Sequence, residues 1–72
     1  MWNNMVDNRP ENSEFVYYWI TYQNGNSVQG YGNYEKHGAD FTIVDLDCKV
    51  RYFNNMYILD KKIIVKWAYP PE

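Results

Sequence analysis

Few residues in this 72-residue chain have types that do chemistry, and their spacing brings few of them together. His37 stands alone in a Gly-flanked loop, with neither a second histidine nor a nearby cysteine. A metal centre needs three or four convergent ligands, so His37 reads as a solvated loop residue. Cys48 lacks an adjacent base that would hold it as a thiolate, and a single cysteine cannot form an internal disulfide. Asp45 and Asp47 form a DxD string, but on a helix the two carboxylates would point away from each other. No catalytic set, metal site or cofactor is expected, and the chain does not read as an enzyme. The remaining chemistry is that of rings: eight tyrosines, three tryptophans and three phenylalanines make 19% of the residues aromatic. Aromatic side chains suit stacking and hot-spot contacts with partners.

The elements that would position these rings follow from period and punctuation. Residues 1–13 are polar and asparagine-rich, and read as a flexible N-terminal tail from which Trp2 and Met5 could dock. The domain is expected over 14–69, with 70–72 an extended C-terminal tail. Phe15 to Gln23, FVYYWITYQ, is aromatic and β-branched, a strand with faces Phe15/Tyr17/Trp19/Thr21 and Val16/Tyr18/Ile20/Tyr22. Both faces are apolar, so the strand should be central. Asn24-Gly25 predicts a turn, and Val28 to Lys36 the returning strand of a hairpin.

Between Phe41 and Asn55, Ile43, Leu46, Val50 and Phe53 recur at spacings of three, four and three and predict an amphipathic helix. Thr42 would be its N-cap and Asn54-Asn55 its C-terminal stop. Met56 to Lys61 reads either as a loop or as a continuation of that helix. Ile63 to Tyr69 is a final strand. The expected fold is α+β, ββαβ: a three-stranded antiparallel sheet of order 2-1-3 with one helix on one face. The other face would be left bare, and a homodimer would cover it.

The string Gly30-Tyr31-Gly32-Asn33-Tyr34 partly resembles the ring-bearing strand of the RNA-recognition motif, in which exposed aromatics stack on bases. It departs from that motif at Gln29, where a basic residue is usual, and at Asn33, where an aromatic one is. The helix between the first two strands is also absent. Over roughly residues 15–68, the succession of Ile20-Thr21-Tyr22, a polar loop, Gly30-Tyr31-Gly32-Asn33, an amphipathic segment and Lys62–Ala68 resembles a loose class of short bacterial and phage proteins. That resemblance implies a ββαβ fold and a mobile-element origin, and brings no catalytic residues. Met56–Lys61 departs from its pattern.

Seven Lys and Arg against nine Asp and Glu give a formal charge of −2, which argues against duplex binding driven by a basic surface. No run of about 18 apolar residues is present to span a bilayer, and the N-terminal residues do not read as a secretory signal. The cytoplasm of a bacterial host is the expected location. Nine asparagines and a Lys-over-Arg bias suggest an AT-rich genome. The expected function is protein binding by a phage or mobile-element accessory protein, in particular an anti-CRISPR-like inhibitor of a host defence complex. A single-stranded nucleic-acid-binding module using the tyrosine-bearing sheet is the alternative. Candidate contact residues are Tyr18, Tyr22, Tyr31 and Tyr34, with Val44, Cys48 and Tyr52 as an apolar line along the expected helix.

Overall fold

Alternation of side chains sets the architecture. In the computed structural model, which describes residues 1–71, the strands are β1 (Asn3–Asn4), β2 (Phe15–Tyr22), β3 (Ser27–His37), β4 (Asp40–Asp45), β5 (Val50–Phe53) and β6 (Ile63–Ala68), with one short helix, α1 (Asn55–Leu59). All six strands form a single antiparallel sheet in the order β1-β6-β2-β3-β4-β5. β2 to β5 are a meander of hairpins; the chain then crosses through α1 and returns as β6 on the free side of β2. The molecule measures 31 × 25 × 24 Å. A flat single sheet would be about 10 Å thick, so this one curls around its inner face.

That inner face is the core. Val16, Tyr18 and Ile20 of β2 sit opposite Trp67 and Val65 of β6 on one side and the small residues Gly30 and Gly32 of β3 on the other. Tyr34, Phe41, Ile43 and Phe53 extend the same surface across β3, β4 and β5, and Ile58 of α1 closes part of it. Phe41 stacks on Phe53, with centroids 4.7 Å apart, and lies 5.4 Å from Tyr34.

The ββαβ expectation is overturned: the sheet has six strands rather than three, and the helix expected over 41–55 is a β-hairpin. Its residues satisfy two periods at once. Ile43, Leu46, Val50 and Phe53 fit a helical stripe, but Phe41, Ile43 and Asp45 also alternate with Thr42 and Val44, and the β-branched run Thr42-Ile43-Val44 favours the strand. Inside the curled sheet, alternation buries Phe41, Ile43 and Phe53, while Leu46 projects from the turn. Thr42 caps nothing, because it lies within β4. Asn54 begins a helix instead of ending one: its side chain accepts the Met56 N–H as the N-cap of α1. Of the loop-or-helix segment 56–61, Met56–Leu59 is helical. The Asp40 carboxylate joins α1 to the hairpin by accepting the Asn55 N–H at 2.9 Å and the Tyr52 hydroxyl, and these bonds, the first above all, hold it below the usual carboxylate range.

The segment 1–13, expected as a flexible tail, is part of the packed structure. Asn3 and Asn4 pair with Trp67 and Lys66, and the Met5 N–H donates to the Val65 carbonyl at 2.9 Å. The chain then crosses the mouth of the sheet, burying Met5 and Pro10. The Asn8 carbonyl accepts from Trp67 Nε1, and the Arg9 guanidinium lies over the Phe41 ring while donating to the Ala39 carbonyl and to Asn55 Oδ1. The segment is a strap across the core.

Two substitutions test this packing by urea denaturation. Met5→Ala should cost about 2–5 kcal/mol, the range for truncating a buried side chain, whereas a loose tail would lose nothing. Gly30→Ala should cost about 1–3 kcal/mol by overpacking, because its Cβ would fall 2.3 Å from Cζ of Tyr18, a ring pinned at its far end. Unchanged midpoints for both would refute the packing described.

Candidate functional site

The outer face of β2 carries the rings that the core does not use. Val16, Tyr18 and Ile20 point inward, so Phe15, Tyr17 and Trp19 must point outward. Tyr31 of β3 pairs in register with Tyr17, and its ring lies 4.9 Å from Tyr17 and 5.6 Å from Phe15. On the other side of β2, β6 turns Ile64, Lys66 and Ala68 outward. Lys66 Nζ sits 5.9 Å over Trp19, and Trp2 meets Trp19 edge-on at 5.6 Å. Trp2, Phe15, Tyr17 and Ile64 are about 40% exposed (38, 40, 42 and 42%). The result is a contiguous aromatic platform across β3, β2 and β6. Patches of this kind on small proteins mark interaction surfaces. The Trp19 indole N–H is enclosed on this face and is the only such side-chain polar atom without a hydrogen-bond partner among the described residues.

Charge on the platform is sparse. Lys66 is its cation, while β3 contributes Gln29, Asn33 and Glu35 to the same side, and Glu11 and Glu14 border a cleft at the Phe15 end. A second cleft, of about 460 Å³, opens between the β5 edge, α1 and the ends of β2 and β6, lined by Ile20, Tyr22, Arg51, Tyr52 and Tyr57 among others.

The seven expected contact residues do not converge. Tyr18 and Tyr34 are core residues, 1% and 2% exposed. Tyr31 belongs to the platform. Tyr22 and Tyr52 line the 460 Å³ cleft. Val44 and Tyr52 lie on the outer side of the β4–β5 hairpin, whereas Cys48 sits at its turn with φ of 67°. With no helix over 41–55, the i, i+4, i+8 line through Val44, Cys48 and Tyr52 does not exist. His37, at the opposite end of β4 from Cys48, is 3.1 Å from Thr42 Oγ1. No group of three or more His, Cys, Asp or Glu side chains is placed to hold a metal among the described residues. No described helix is long and apolar enough to cross a membrane.

The platform residues Trp2, Phe15, Tyr17 and Trp19 were the ones missed. Alternation in FVYYWITYQ separates the two faces, but both carry rings, and alternation alone does not say which of them turns inward.

Tyr18 has a different task. Its hydroxyl donates to Asp45 Oδ1 at 2.8 Å and accepts from Arg51 Nε at 3.0 Å, while Asp45 and Arg51 approach each other only to 3.8 Å. The phenol leaves β2, lies over Gly30 of β3, and joins β4 to β5. Compared with protein families, curated proteins and solved structures, the chain matches none.

Tyr18→Phe retains the ring and removes the bridge, leaving two half-buried charged groups short of a partner. It should destabilise the fold by about 1.5–3 kcal/mol at neutral pH, the range for hydrogen bonds to charged groups. Burial, and then the bond to Asp45, push the phenol above its ordinary value of 10.0, against the opposing pull of Arg51. A pKa raised on folding means that the unfolded chain ionises first. This contribution is therefore complete below pH 10 and lost as pH rises through the folded value. Urea midpoints measured against pH should fall on an alkaline step that Tyr18→Phe reduces; superimposable profiles would deny Tyr18 this role.

Proposed function

We propose that the chain is a non-enzymatic binding protein that lays the aromatic platform of β3, β2 and β6 against the surface of a partner protein. The observation that carries this is the contiguous set Phe15, Tyr31, Tyr17 and Trp19, held rigidly on a sheet and left partly open to solvent. Rings on a strand lose little conformational freedom when they are covered, and tyrosine and tryptophan dominate hot spots for that reason. In its narrowest form, the partner is a host defence complex and the chain is an inhibitor encoded by a phage or mobile element. That form draws on the asparagine- and tyrosine-rich composition. Pairing of two copies through the same platform is the competing way to cover it. Exposed rings would also stack on the bases of a single strand, but one lysine on the platform and two glutamates at its border offer phosphates little attraction.

Capture from a bacterial lysate distinguishes these readings, using wild type and the triple variant Phe15→Ser/Tyr17→Ser/Tyr31→Ser, with sedimentation velocity alongside. Wild type should retain a protein after nuclease and in about 1 M salt, where the Debye length is about 3 Å. The variant should lose at least about 2 kcal/mol of that binding. Recovery only of material that nuclease removes would overturn the reading in favour of nucleic acid. A concentration-dependent dimer abolished in the variant, with no other protein bound, would leave self-association as the platform's use.

A further inference from the structure

Where β2 begins and the chain leaves β6, the platform turns over the rim of the sheet into a cleft of about 510 Å³, lined by Glu11, Glu14, Phe15, Tyr31, Tyr69 and Pro70. We infer that this cleft receives a basic side chain, arginine or lysine, of the protein partner. The inference rests on the protein-binding reading and names the chemistry that the partner must present.

Three observations carry it. The first is that the cleft combines aromatic rings with carboxylates. Ring faces attract a cation through their quadrupole and cover the apolar stem behind it, while the carboxylates take its donors. Secondly, neither carboxylate has an ion-pair partner among the described residues. The only pair within 4.0 Å among the described residues is Arg51–Asp45, and Glu35, the next acid along this edge, accepts from the Ser13 hydroxyl. Elsewhere the molecule places its own cations over its rings: Arg9 over Phe41 at 5.0 Å, Arg51 over Tyr18 at 5.6 Å and Lys66 over Trp19 at 5.9 Å. The Phe15–Tyr31 pair has no cation of this chain over it among the described residues.

The third observation is that the site is built in advance. The loop holding Glu11 and Glu14 is pinned to β3 through Ser13 N–H to the Tyr34 carbonyl at 2.7 Å, Tyr34 N–H to the Glu14 carbonyl at 2.9 Å and Lys36 N–H to Asn12 Oδ1 at 2.8 Å. Tyr69 is fixed by the Glu11 N–H, which donates to its hydroxyl at 2.8 Å, and by edge-on contact with Trp67 at 5.0 Å. A cation entering here meets rings already in place and carboxylates carried on a pinned backbone, so little backbone ordering opposes binding.

The test is an NMR titration of the full chain with blocked tripeptides, acetyl-Gly-Arg-Gly-amide and acetyl-Gly-Lys-Gly-amide. The probe of equal shape and no charge is the citrulline peptide. The cationic peptides should shift the ring protons of Phe15, Tyr31 and Tyr69 saturably, with the citrulline peptide at least about fivefold weaker. Glu11→Gln/Glu14→Gln keeps the loop's backbone bonds and should weaken the cationic peptides by about fivefold, the scale of two exposed ion pairs. Equal binding of the citrulline peptide, or rings that do not move, overturns the inference. Should that happen while the triple platform variant still loses its partner, the cleft assignment fails and the protein-binding reading stands. A partner bound equally by wild type and that variant would defeat the platform reading instead.

Discussion

The Tyr18 hydroxyl, held between Asp45 and Arg51, is the contact on which the rest of the molecule turns. It begins on β2, passes over Gly30 of β3, and ends between β4 and β5, so one side chain ties together four adjacent strands. It reaches that far because Gly30 has no side chain: a Cβ there would fall 2.2 Å from the hydroxyl. Gly32, two residues on, similarly lets the β4 backbone approach, since a Cβ would lie 2.6 Å from the Val44 carbonyl oxygen. With these two positions open, the sheet can curl tightly enough to enclose a core by itself. The strap through Met5, Pro10 and Arg9 and the single buried contact of α1 then close the mouth.

A second constraint is that a single sheet has two faces, and the described residues bury only the inner one. The strap, the helix and the curl all serve the inner face. The outer face keeps its rings in the open, and the surface available to a partner is what remains once the core is complete. The same economy is seen in the charges. Arginine and lysine side chains lie over rings within the fold, whereas Glu11 and Glu14, with no ion-pair partner among the described residues, stand beside the Phe15–Tyr31 pair. The uncovered rings and these carboxylates therefore occur together at one rim of the sheet.

Much of β2, β3 and β6 was legible in the residues. An aromatic and β-branched run, an Asn-Gly turn and a Val/Ile-rich segment are local signals, and they predict strands wherever they occur. The stretch 41–55 was not legible in that way. Ile43 and Phe53 fit a helical stripe as well as the inward face of a strand, and local spacing has no means of choosing between them. Asn54-Asn55 had the same ambiguity, since asparagine serves at either end of a helix. Nor did anything local distinguish residues 1–13 from a tail: Met5 and Pro10 stand in an asparagine-rich stretch with no strand or helix period, and they are buried only because a curled sheet offers them a mouth to cross.

The sequence by itself determined the strands with strong local preference, the two faces of β2, the absence of a disulfide framework and the wealth of rings. Which face of β2 turned inward, and so which rings a partner would meet, was decided by the tertiary structure alone. The reason is that Tyr17 and Tyr18 are chemically identical neighbours. Only the pairing of Tyr18 with Gly30, and the distant Asp45 and Arg51 that receive its hydroxyl, make one a tie in the core and leave the other on the surface.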